Sequence, residues 1–150
     1  GTECNLSDAT AGMTAYHVVH LSNYGITACA YWAPKPSCFT ATYLSDTNVF
    51  PVTIGNSQTG VSIGYGSCRP GPIHVQSLVY FTQGTTPPCC LYPILGIPSS
   101  GNVEAVDCAN NLITAYGVTS VINPAGSCTC GAVRVEESTW GRVKSLYSDD

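Results

Sequence analysis

Cys89 and Cys90 stand side by side in "TTPPCCLYPILG", and seven more cysteines are spread from Cys4 to Cys130: Cys29, Cys38, Cys68, Cys108 and Cys128 lie between those two ends. Nine cysteines in 150 residues restrict the fold more than any other feature. A reducing compartment would use such a density for metal or catalysis, whereas an oxidising one uses it as a covalent framework. The spacings decide between these. Structural zinc sites favour C-x2–4-C, and thiol redox catalysis favours C-x-x-C at a helix start; neither spacing occurs. On a strand, neighbours such as Cys89 and Cys90 point to opposite sides, and Cys128 and Cys130 share a side, so each needs its own partner. Four disulfides are therefore expected among eight of the nine cysteines, each contributing about 2–4 kcal/mol. The pairing stays open. The ninth is expected to be buried and free, separated from an upstream partner, or bridged to another chain. Disulfides in turn place the protein outside the cell, secreted or at the cell surface.

Around this framework the chain alternates apolar and polar residues with period two. Residues 14–21, 27–33, 38–44, 49–54, 59–65, 72–81, 102–108, 112–122 and 131–137 each read as a strand, separated by turn formers such as "SNYG", "SDTN", "GNSQTG" and "GIPSSGN". The expectation is one all-β domain over residues 1–150, a disulfide-stapled β-sandwich of Ig-like or jelly-roll-like kind. "EESTWGRVKSLY" differs: Ser138 can cap a short C-terminal helix over 138–147, with Trp140, Val143 and Tyr147 on one face, although Gly141 costs about 1 kcal/mol in a helix interior. That segment either packs on its own domain or docks on a neighbour. The opening "GTECNLSD" has neither a basic start nor an apolar run, so a processed or trimmed form is expected.

Charge excludes some partners. Only 9% of residues are charged, against about 25% in ordinary soluble domains. Five basic residues and a net charge of −4 leave no patch for nucleic acid, and no apolar run reaches the length of a membrane span, about 18 residues. Weak self-repulsion instead favours association with copies of the same chain.

No catalytic set emerges, and the protein is read as a non-enzyme without cofactor. "GVSIG" matches a nucleophile elbow around Ser62, but "YGSCRPGP" follows where a helix is required, and no acid separates Ser62 from His74. His17 and His20 lie three apart, on opposite faces of a strand, so no metal ligation is expected of them. Glu104 and Asp107 likewise diverge, and Asp8 and Asp46 fall in turn-like segments where side-chain capping is usual. The tyrosines could stack on glycans, though they equally fill sandwich edges. Asn5 opens the only N-x-S/T sequon, and Thr85 and Thr86 beside prolines are candidate O-glycosylation sites.

"VFPVTIGNSQTGVSIGYGSCRPGPIHV", "VDCANN" and "CTCGAVRVEESTWGRVKSLY" resemble small exported bacterial proteins that share a closing W-G-x-x-K-x-L-Y tail, here Trp140, Gly141, Lys144, Leu146 and Tyr147. The resemblance implies an exported, cysteine-rich protein and brings no catalytic residue. The resulting expectation is an extracellular structural subunit that self-assembles into a fibre or surface layer by strand or tail exchange. Tyr16 and Val18 near the start, and Trp140, Val143, Leu146 and Tyr147 in the tail, are the candidate junction residues. The alternative is a secreted glycan-binding or adhesion module.

Overall fold

A computed structural model describes residues 4–130, and within them the protein is all-β. The strands are β1 (Asn5–Leu6), β2 (Ala11–His20), β3 (Ile26–Tyr31), β4 (Thr42–Asn48), β5 (Val52–Asn56), β6 (Gly60–Arg69), β7 (Ile73–Gln83), β8 (Cys90–Pro93), β9 (Val103–Asp107), β10 (Leu112–Ala115) and β11 (Thr119–Ile122). They form a five-stranded sheet in the order β10-β9-β3-β6-β5 and two three-stranded sheets, β2-β7-β4 and β1-β11-β8. All pairings are antiparallel except β1 with β11, which brings the start of the described chain alongside its end.

One apolar core lies between these sheets. Alternation turns Tyr16 and Val18 of β2, Cys29 and Tyr31 of β3, Val61, Ile63 and Tyr65 of β6, and Leu78 and Tyr80 of β7 inward. The core is rich in tyrosine, and every buried hydroxyl needs a partner. Tyr31 donates to Gln76 Oε1 at 2.7 Å, joining the five-stranded sheet to β7. Tyr92 donates to the Ala33 carbonyl at 2.6 Å, so the 2.6 Å contact between Tyr80 and Tyr92 has Tyr80 as donor. Gln58 Nε2 then supplies Tyr80 at 3.2 Å. This relay lets a chain with few charges hold polar atoms inside.

Three expectations shift. The strand expected at 38–44 is displaced to β4, which absorbs "SDTN". Phe39 is wholly buried, Cys38 is bridged to Cys90, and pairing with β7 outweighs the local turn preference of Ser45-Asp46. The long run 112–122 divides into β10 and β11, in different sheets. A Cβ at Gly117, between them, would collide with the Ile94 backbone, so the crossing requires glycine. Strand β8 lies in a segment whose prolines argue against a strand; it is short and pairs on one side only, with β11. The strand at 131–137 and the helix at 138–147, with Trp140, Val143, Leu146 and Tyr147, lie outside the described residues.

Candidate functional site

The cysteines resolve into Cys4–Cys130, Cys38–Cys90, Cys68–Cys108 and Cys89–Cys128, with Cα–Cα distances of 5.9, 5.7, 5.4 and 5.8 Å, inside the range for unforced bridges. Cys89 and Cys90 do take different partners, as do Cys128 and Cys130. The ninth, Cys29, is free and buried in the core. Tyr65 donates to its sulfur at 3.6 Å, and burial pushes the thiol up to about 12, so it is an inert core residue rather than a nucleophile. Four disulfides belong to an oxidising compartment. No helix among the described residues is long and apolar enough to cross a membrane.

Asp8, Asp46 and Asp107 are structural. Asp8 is buried and accepts from Gly84 N–H at 2.9 Å and from the Thr86 hydroxyl, while its own N–H reaches Asn123 Oδ1. Asp46, in β4 rather than a turn, accepts from both Ser57 N–H and Ser57 Oγ at 2.7 Å. The carboxyl of Asp107 is held below the usual range by the Asn111 and Ala109 backbone N–H groups, closing the β9–β10 turn. Glu104 faces outward on β9. Ser62 sits inside strand β6, paired with Ala30 and Ile54, without a following helix.

Several candidates change role. Thr86 is buried against Asp8, which corrects its reading as a glycosylation site; Thr85 is exposed and bonds to Thr40 Oγ1 at 2.7 Å. Asn5 is exposed, with its side-chain oxygen accepting from Cys130 N–H at 3.0 Å. Tyr16 and Val18 are core residues, Tyr16 donating to the Ser7 carbonyl, so neither is presented at a junction; Met13, Ala15 and His17 face out instead. Of the described tyrosines, Tyr16, Tyr31, Tyr65, Tyr80 and Tyr92 are buried, leaving Tyr24 and Tyr116 most exposed. That is a thin platform for stacking sugars.

Two outward features remain. The first is the outer face of the five-stranded sheet. Register aligns Val52, Gly64, Ala28, Val106 and Leu112 in one row across all five strands, and Ile54, Ser62, Ala30, Glu104 and Thr114 in the next. The first row has no polar side chain, and Glu104 is the only charge in either. Bulk stands at the rims: Val52 is 58% exposed, Ile54 70% and Leu112 67%. Between them stand Gly64, Ala28 and Val106 in the first row and Ser62, Ala30 and Glu104 in the second. The face is thus a shallow apolar trough roughly 19 Å wide, from four strand spacings of about 4.8 Å.

The second is a histidine pair on the outer side of β2–β7. His17 Nδ1 lies 2.8 Å from Ser77 Oγ, and His74 Nε2 lies 2.9 Å from the same oxygen and 3.1 Å from the Gln76 carbonyl. The ring centroids are 4.4 Å apart. A bulge creates this meeting. Val18 pairs with Gln76 and Val19 with His74, so Val75 is an extra residue, and His74 and Ser77 share a face despite their odd separation. His20, which the sequence set beside His17, points into the core on the opposite side.

Among the described residues no group of three or more His, Cys, Asp or Glu is placed to hold a metal ion. No protein-family model matches the chain, and a search of curated proteins finds no match.

Proposed function

We propose that the protein is a non-enzymatic structural subunit of the extracellular space, a disulfide-stapled β-sandwich whose copies join into a fibre or surface layer. The apolar trough on the five-stranded sheet carries this reading. Large side chains left in water at Val52, Ile54 and Leu112, on a face almost without charge, are a favourable surface to cover, at about 25 cal/mol for each Å² of apolar area removed from water. The low strip at Gly64 and Ala28, about 14 Å from Val52 to Val106 across three strand spacings, suits a helix about 10 Å across.

The occupant we assign is residues 138–147 of a neighbouring copy. The 20 residues after Cys130 leave from a point fixed by the bridge to Cys4. Trp140, Val143 and Tyr147 recur at helical spacing, and Leu146 adjoins them. Arg142 and Lys144 bring positive charge to a face whose one ionised side chain is Glu104. Head-to-tail contacts of this type build open filaments.

The test is electron microscopy and light scattering of wild type against Ile54→Asp/Leu112→Asp and against a chain ending at residue 137. The reading expects wild type to polymerise and both variants to stay monomeric with unchanged far-UV circular dichroism. Polymerisation of the double-Asp variant would remove the trough from the junction, and a wild type that stays monomeric at millimolar concentration would end the structural reading.

A further inference from the structure

The geometry points to a transition-metal site at His17 and His74, one that takes a borderline divalent ion of the Cu²⁺ class on two imidazoles with Ser77 Oγ and the Gln76 carbonyl beside them. It stands apart from the proposed assembly, since the trough belongs to a different sheet.

Both rings meet at one oxygen. Ser77 Oγ is within 2.9 Å of a nitrogen on each ring, so both nitrogens already converge on one locus. The Gln76 carbonyl can only accept, which makes His74 Nε2 the protonated nitrogen of a neutral ring; Ser77 can then donate its single proton to His17 Nδ1. This chain is the resting arrangement of the apo-protein. To ligate, His74 passes its Nε2 proton to Nδ1 through solvent, which changes its tautomer and leaves its charge at zero. Two nitrogen lone pairs, the Ser77 hydroxyl oxygen and the Gln76 carbonyl oxygen are then available to one ion.

Neutral imidazole is the form that binds metal, and hydrogen bonding already turns one nitrogen of each ring toward Ser77 Oγ. Imidazole with oxygen donors in a tetragonal set selects Cu²⁺ or Ni²⁺, and Cu²⁺ stands highest in the affinity order of divalent ions. Both rings are exposed, so an ion enters without opening the core. The bulge at Val75 supports the same reading, because such irregularities re-aim side chains on otherwise regular strands.

Two ligands leave open positions, so the affinity will be moderate and the competing ligand is the amine at the start of the chain. The experiment is calorimetric titration of the oxidised full chain with Cu²⁺, with electron paramagnetic resonance on the one-equivalent complex. Wild type is expected to bind one ion with two imidazole nitrogens coupled to it. His17→Gln and His74→Gln should each weaken binding at least tenfold, and His17→Gln/His74→Gln should leave only terminal-amine coordination. Urea midpoints confirm that the variants are folded, as their substituted side chains lie on the surface. Equal affinity in wild type and the double variant, or a spectrum with a single coupled imidazole that persists in either single variant, would overturn the assignment.

Discussion

His20 offers a direct test of how the core was read. Its imidazole is fully buried, lies against the Tyr65 ring with centroids 6.1 Å apart, and neither nitrogen has a hydrogen-bond partner among the described residues. Burial lowers it to about 4, opposed only by the nearby Tyr24 backbone. In the unfolded chain the same group titrates near 6.5. Between those values the unfolded state binds the extra proton, so the contribution of neutral His20 is complete above about pH 6.5 and is lost as pH falls toward 4. At pH 5 the unfolded ring is almost wholly protonated and the folded ring almost wholly neutral, a loss of about 2 kcal/mol relative to pH 7.5. The perturbation is His20→Leu, which keeps an apolar contact with Tyr65 and removes both unpaired nitrogens. Urea unfolding at pH 7.5, 6 and 5 should show wild type losing about 2 kcal/mol more than the variant, with the two within about 1 kcal/mol at pH 7.5. The exposed His17 and His74 are common to both proteins and cancel in the comparison. Parallel profiles for wild type and variant would refute the reasoning, because they would mean that His20 is protonated or solvated inside the fold.

Three further outcomes follow from single contacts. Gly25→Ala would set a Cβ 2.9 Å from both Cys68 Sγ and Cys108 Sγ, and should cost about 1–3 kcal/mol in chemical denaturation; a neutral result would show that the bridge yields freely. Asp8→Ala strands the Gly84 N–H and the Thr86 hydroxyl in a buried position, with an expected loss of about 3 kcal/mol by the same measurement, and a loss below 1 kcal/mol would deny the carboxylate its bridging role. Mass spectrometry after alkylation should find no adduct on the native protein and a single one, at Cys29, in denaturant without reductant; more than one would contradict the four bridges.

Much of the architecture was readable because period-two alternation depends on local sequence alone. Segments such as "TAYHVV", "TGVSIGY" and "HVQSLVYF" became strands near their expected places, and the spacing of "CC" and "CTC" foretold separate disulfide partners. What escaped was set by long-range pairing. Ser45 and Asp46 carry a turn signal, yet the β7 ladder and the Ser57 contacts make them strand. Tyr16 and Val18 share a face, but alternation leaves open which face meets the core, so two proposed junction residues turned out to be packing. The histidine pair was hidden for a different reason: 57 positions separate His17 from His74, and only an inserted residue turns His74 toward Ser77. Within the sequence the one signal was the polar set His74, Gln76 and Ser77 in a strand otherwise apolar up to Phe81. The trough was hidden too, since a row of Val, Gly, Ala, Val and Leu exists only once five strands are in register.

The Cys4–Cys130 bridge has a mechanical meaning. It joins residues 126 positions apart in sequence across a Cα separation of 5.9 Å. Tension entering before Cys4 and leaving after Cys130 therefore runs through one covalent link and bypasses the sheets. Without that link, and with Cys38–Cys90 and Cys89–Cys128 still closed, the load would run through residues 4–38, 89–90 and 128–130, and the chain could pay out roughly 130 Å at about 3.4 Å for each residue. With it, a pulled subunit transmits load without unravelling, and a reducing agent becomes the release catch of any cable built from it.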